Sequence, residues 1–276
     1  MTPWDPSREP PQARIGPAGM ILVLIRGGLL SGLIFGGLGL LLLLRLIERP
    51  LNGMHRPWTP WIVQAVSAIA LNLLGIRYQA VGKPMRERGA VVSNHSSWLD
   101  IFVLNARKRV YFVSKAEVAR WPAIGWLARA VGTVFINRDS RQAKAQQALF
   151  EDRLLAGHRL LFFPEGTSTD GMQVLPFKST LFEAFFSLGE AHALHVQPVT
   201  LIYRAPRGQD PRFYGWWGDM AFGPHLARVM SVARPGAVTV IYHNPLNVND
   251  FPNRKALAKA CEAAVRSGLH HSQVGA

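Results

Sequence analysis

Between Gly27 and Leu44 the chain carries no charged side chain, and across Arg26 the apolar run Met20 to Ile25 lengthens the segment further. A helix rises about 1.5 Å per residue, so roughly 18 uncharged residues reach most of the way across a bilayer's hydrocarbon core. The segment is therefore expected to form a membrane-embedded helix that crosses or deeply enters the bilayer. A cleaved signal peptide fits less well, because no small-residue cleavage site follows Leu44 and Arg45 and Arg49 come next. Gly28, Gly32 and Gly36 recur every four residues; such a stripe either offers a smooth face to a neighbouring helix or is tolerated facing lipid. A second apolar segment, Trp61 to Leu74, starts after Thr59-Pro60 and stops at Gly75. At about 14 residues it is short for a span, and it is expected to lie in the interface or return as half of a helical hairpin. Arg45, Arg49 and Arg56 lie between the two segments. Basic residues flanking a span favour the cytoplasmic side, which puts the rest of the chain on the cytoplasmic face of the inner membrane, provided the second segment does not cross. Residues 1–19, with five prolines and few hydrophobes, read as a disordered tail. The organisation expected is thus a tail over 1–19, membrane-associated helices over 20–75 and a single domain over 76–276.

Charge narrows the partners. The 31 Lys and Arg against 17 Asp and Glu give a net charge of +14, spread along the chain. With no basic low-complexity arm, zinc-finger spacing or base-stacking motif beside them, nucleic acid is an unsuitable partner. An anionic membrane surface suits this charge, and an acidic carrier protein would also be attracted. A single Cys261 allows no intrachain disulfide. His192 and His195, three apart, have no evident carboxylate or Cys partner, so no metal is expected.

Past Gly75, short apolar runs alternate with helical patterns. Candidate strands are Arg77 to Val81, Ala90 to Ser93, Val110 to Val113, Thr133 to Ile136, Arg159 to Phe163, His195 to Ile202 and Val238 to Tyr242; helices include Arg141 to Ala156, Thr180 to Leu188 and Arg254 to Ser267. The alternation predicts an α/β fold: a mostly parallel sheet with helices on both faces.

Chemistry concentrates in two places. Ser93-Asn-His-Ser-Ser-Trp-Leu-Asp100 follows an apolar run, so it reads as a strand ending in a turn, with Ser96 or Ser97 placed to cap the next helix. If Asp100 reaches back to one ring nitrogen of His95, the other is left to take a proton from a hydroxyl. Leu160-Leu-Phe-Phe-Pro-Glu-Gly-Thr-Ser168 is a second strand with polar groups at its carboxyl end, where open α/β sheets bind ligands. No Gly-x-Ser-x-Gly elbow of a serine hydrolase is present.

In this order and spacing, the two segments resemble the glycerolipid acyltransferase family, whose members include acylators of lysophosphatidic acid. The family's Asn-His-x4-Asp block is matched by Asn94, His95 and Asp100, and its Phe-Pro-Glu-Gly-Thr block by Phe163 to Thr167. Between them Lys115, Pro122, Gly125, Gly132 and Phe135-Ile-Asn-Arg138 follow the family pattern, and Val196-Gln-Pro-Val199 meets a looser fourth block. The match runs roughly from Val81 to Ile202.

The resemblance implies direct transfer of a fatty acyl group from a thioester, carried by acyl carrier protein or coenzyme A, to a lysolipid hydroxyl, with no cofactor. His95 is expected to act as general base and Asp100 to orient it. Glu165 is expected to bind acceptor hydroxyls or organise its loop, Gly166 and Thr167 to approach the substrate, the Gly166 amide to serve as an oxyanion donor, and Lys115 and Arg138 to hold the acceptor head group. One departure bears on the acceptor. Where the family commonly continues with Arg, taken to grip a phosphate, this chain has Ser168-Thr-Asp-Gly171. That continuation, with Leu175-Pro-Phe-Lys178 and Trp216-Trp-Gly-Asp219, looks like a bacterial branch that includes lyso-ornithine lipid acyltransferases. The reading ranks lysophosphatidic acid first and lyso-ornithine lipid second; a thioesterase and a non-catalytic lipid-binding scaffold are the rival classes.

Overall fold

The computed structural model describes residues 10, 14–136, 143–188 and 193–274. The chain opens with α1 (Pro17–Asn52) and α2 (Thr59–Leu74). Pro at the start of each suits a first turn whose amides have no helical partner, and Gly75 in the left-handed region ends α2. α1 is long and apolar enough to cross a membrane. The two helices form an antiparallel hairpin, with Val66 against Gly37 and Thr59 against Glu48. The buried Glu48 carboxylate accepts the Trp58 and Thr59 amides at 2.7 and 3.0 Å and the Thr59 hydroxyl at 2.7 Å, holding the open end of α2. The hairpin packs on the rest of the chain. Arg26 donates to the carbonyls of Met230 and Val232, and Leu30, Ala70, Leu71 and Leu74 join the core beneath the sheet. Leu24, Leu29, Leu40, Leu43 and Leu46 point outward, more than half exposed.

The glycine stripe departs from the packing expectation. A side chain at Gly28, Gly32 or Gly36 would meet nothing within 4 Å, whereas one at Gly37 would lie 2.6 Å from Val66. A step of one residue turns a helix by about 100°, so the stripe faces outward and Gly37 makes the close approach.

Among the described residues eight strands follow: β1 (Arg77–Val81), β2 (Gly89–Ser93), β3 (Tyr111–Lys115), β4 (Val134–Ile136), β5 (Leu160–Phe162), β6 (His195–Arg204), β7 (Ala237–Tyr242) and β8 (Leu246–Asn247). Their order across the sheet is β1-β7-β6-β2-β5-β3-β4, with β8 also beside β6. β6, β2, β5, β3 and β4 run parallel; β7 and β8 pair antiparallel with β6. The helices are α3 (Asp100–Arg107), α4 (Ile124–Val131), α5 (Ala143–Leu155), α6 (Glu183–Ser187), α7 (Phe222–Met230) and α8 (Arg254–Val274).

Alternate strand residues serve opposite faces. Val91, Phe112, Leu161, Val199 and Leu201 pack with residues of α1, α2, α3 and α7; Ala90, Val92, Val113, Leu160, Phe162 and Val196 pack with α5, α6 and α8. This is the expected mostly parallel sheet with helices on both faces. α8 continues past the expected end at Ser267 to Val274, and Gly268 lies inside it where a side chain would sit 2.5 Å from the Thr200 hydroxyl. That glycine permits close packing of helix on strand.

Candidate active site

β2 and β5 are adjacent and parallel, with Val92 opposite Phe162, so the residues after both strands emerge together at one end of the sheet. Asn94 fixes the first of these turns. Its amide exchanges two hydrogen bonds with Leu201 of β6, donating to the carbonyl at 2.9 Å and accepting the N–H at 2.8 Å, which extends the ladder by one side chain. His95 follows, and its ring stacks on Phe163 from the β5 end, centroids 3.9 Å apart and planes 10° from parallel. Nδ1 lies 2.7 Å from Asp100 Oδ2. A carboxylate only accepts, so Nδ1 carries the proton and Nε2 keeps a lone pair. The His95 side chain is 22% exposed and Asp100 fully buried, so the base is reachable while its partner is dry.

Asp100 opens α3, whose first turn takes no side-chain cap, so the serines do not cap it as expected; the Asp100 carboxylate binds back into the preceding turn. Oδ2 also accepts the Ser96 and Ser97 amides at 2.8 and 3.1 Å. Ser97 Oγ takes only the Leu99 amide, and Ser96 Oγ is buried with no partner among the described residues. Oδ1 accepts the Tyr203 hydroxyl at 2.7 Å. Tyr203 was not foreseen: it sits on β6, just past the expected end of that strand, and nothing local ties it to Asp100.

The His95 backbone is held from both sides. Its N–H donates to Glu165 Oε1 at 2.8 Å, and its carbonyl accepts the Thr169 amide at 2.9 Å. The Ser96 carbonyl accepts the Trp216 amide at 2.8 Å. Glu165 Oε2 accepts the Leu175 amide at 2.7 Å, so this 2% exposed carboxyl joins the β2 turn to the loop after β5. Burial pushes its pKa up to about 8, against the pull of the two amides.

Gly166 has φ of +73°, a conformation glycine adopts freely. Its N–H donates to the Phe163 carbonyl at 3.0 Å, which commits that amide to the turn and corrects its expected role as an oxyanion donor. A side chain at Gly166 would meet Lys178 Nζ at 2.8 Å, so this exposed lysine lies over the glycine; it was not singled out as a site residue. Thr167 is exposed beside it. Lys115 ends β3, the strand next to β5, at the same edge as His95 and Glu165. Arg138 and His192 lie outside the described residues.

The arrangement is a half-buried but reachable imidazole, oriented by a dry carboxylate, at the carboxyl ends of parallel strands. The family described as Acyltransferase matches residues 77–202. The chain is 61% identical over 266 residues, 96% of both chains, to the lyso-ornithine lipid O-acyltransferase of Rhodobacter capsulatus. It is 40% identical over 192 residues, 68% of this chain and 72% of the relative, to the 1-acyl-sn-glycerol-3-phosphate acyltransferase of Neisseria meningitidis. In fold it is similar to the crystal structure of the 1-acyl-sn-glycerophosphate acyltransferase PlsC from Thermotoga maritima, with a TM-score of 0.65 and 21% identity over 92% of this chain and 96% of that one. The chain belongs to this acyltransferase family.

Proposed function

We propose that the protein is a membrane-bound O-acyltransferase that moves a fatty acyl group from a thioester, borne by acyl carrier protein or coenzyme A, to the hydroxyl of lyso-ornithine lipid. The observation that carries the acceptor assignment is identity of 61% along 96% of both chains with a relative named for that reaction. Ser168 supports it, since an amino-acid head group brings no phosphate for an arginine at that position to grip. This reverses the order of acceptors read from sequence, where lysophosphatidic acid came first.

In this reading His95 Nε2 takes the proton of the acceptor hydroxyl as its oxygen attacks the thioester carbonyl, and Asp100 steadies the imidazolium that forms. Collapse of the tetrahedral intermediate breaks the carbon–sulfur bond, and the imidazolium returns its proton to the leaving thiolate. Glu165, with both oxygens on backbone amides, organises the loop. Lys115, Thr167 and Arg138 are assigned to the acceptor head group. The hairpin of α1 and α2 holds residues 76–276 at the cytoplasmic face of the inner membrane, where exposed Arg49 meets anionic lipid, while Arg45 and Arg56 turn inward to Glu48 and the Ala130 carbonyl.

The test is acyl transfer by membranes containing wild type or His95→Ala, with both thioesters as donors and lyso-ornithine lipid and lysophosphatidic acid as parallel acceptors. A His95-dependent product with lyso-ornithine lipid alone supports the reading. Product with lysophosphatidic acid alone overturns the acceptor, and no His95-dependent product overturns the chemistry in favour of a scaffold. Thioester loss without lipid product means a hydrolase.

A further inference from the structure

We propose that Tyr203 is a positioning residue of the reaction, holding the Asp100 carboxylate so that Oδ2 faces His95 while its own hydroxyl takes up Oδ1. The inference rests on the assignment of His95 as base.

The geometry around Asp100 is uneven. Oδ2 carries three donors: His95 Nδ1 and the amides of Ser96 and Ser97. All three come from the turn leading into α3, so they move with Asp100 if that turn shifts. Oδ1 has the Tyr203 hydroxyl, at 2.7 Å, from β6, the strand paired with β2. Tyr203 therefore ties the Asp100 carboxylate to the sheet from outside its own turn, as Glu165, Thr169 and Phe163 hold His95. The β6 backbone places it well, since Leu201, two residues earlier, is the partner of Asn94 on the other side of His95. Behind it the ring lies 5.6 Å from that of Tyr214, whose own hydroxyl accepts the Gly236 amide at 2.8 Å.

The phenol is suited to a one-way contact. Burial, and the neighbouring Asp100 charge, push its pKa well above the ordinary value, so the hydroxyl stays protonated and can only donate to the carboxylate. Sharing Asp100's charge in this way leaves less of it for the imidazolium and sets how readily His95 becomes protonated. Among the described residues, titratable groups near the dyad include Glu165 from the β5 end and, behind Tyr203, Tyr214 and Tyr78.

Tyr203→Phe keeps the ring and deletes the donor. With Oδ1 released, more negative charge is available to His95, so protonated imidazole is favoured and the acid limb of kcat/KM moves to higher pH by about half to one unit. Loss of a hydrogen bond to a charged group lowers kcat by about tenfold, with KM for the acceptor little changed. The purified full chain in detergent is assayed by acyl transfer to lyso-ornithine lipid from pH 5.5 to 9. Tyr214→Phe serves as control: it loses the Gly236 contact and some thermal stability and keeps its acid limb in place. A second variant, 3-fluorotyrosine at 203, keeps the shape and strengthens the donor, so the limb moves the opposite way by a few tenths of a unit. A limb fixed in both Tyr203 variants, in an enzyme whose His95→Ala form is inactive, overturns the role of Tyr203 and leaves the dyad standing. An active His95→Ala enzyme overturns the dyad instead.

Discussion

Replacing Glu165 by Gln tests whether burial controls the carboxyl that braces the His95 turn. The folded protein holds this group near 8 against an ordinary value of 4.5, so the folded state keeps a proton that the unfolded chain releases. The sign follows from linkage. Below about 4.5 both states are protonated and the group contributes no pH dependence. From there to about 8 only the unfolded state ionises, so stability falls as pH rises, by at most ~1.4 kcal/mol per unit. Between pH 5.5 and 7.5, well inside that window, the wild type loses up to ~3 kcal/mol from this group alone. For a chain of this size that corresponds to roughly 6–10 °C in Tm. Gln does not titrate, and the other groups are common to both proteins, so they cancel in the difference. Thermal unfolding of both proteins in one detergent, at half-unit steps, therefore shows wild-type Tm falling relative to Glu165→Gln as pH rises. Parallel curves across the window would refute the reasoning and mean that the His95 and Leu175 amides keep the carboxylate ionised.

Two more substitutions probe packing. Asn94→Ala strips the Leu201 N–H and carbonyl of their side-chain partner and should cost about 2–4 kcal/mol, with activity falling because the His95 turn loses its tie to β6; denaturation and initial rates measure both. Gly37→Leu should cost about 1–3 kcal/mol by driving a side chain into Val66, while Gly28→Leu, which meets nothing, stays within about 0.5 kcal/mol of wild type; thermal stability in detergent distinguishes them.

How much of this was legible in the sequence depended on whether the signal was local. Strands buried on both faces read as short apolar runs, and β2, all five residues buried, is the clearest case. β8, two residues long and half-buried, has no pattern to read. The close spacing of His95 and Asp100 was visible because one turn joins them. Tyr203 was invisible, since its contact with Asp100 bridges more than a hundred positions and only the β2–β6 register creates it. Gly28, Gly32 and Gly36 formed a conspicuous period, yet Gly37, one step away, carries the packing, because a spacing reveals that a face exists and not which way it points.

The two carboxyls beside His95 show the same limit in chemical terms. In the sequence Asp100 and Glu165 are both acids just beyond apolar strands, and either could serve as a base, an orienter or a brace. Folding separates them by what surrounds each. Asp100 receives the imidazole, two amides and a phenol, so it is equipped to act as an acceptor beside a forming imidazolium. Glu165 receives two amides in a dry site and is pushed toward the neutral acid, partly by Asp100 itself. A neutral Glu165 adds no second negative charge beside His95, so the imidazole answers to one carboxylate, while the same residue still fixes the backbone on which that imidazole stands.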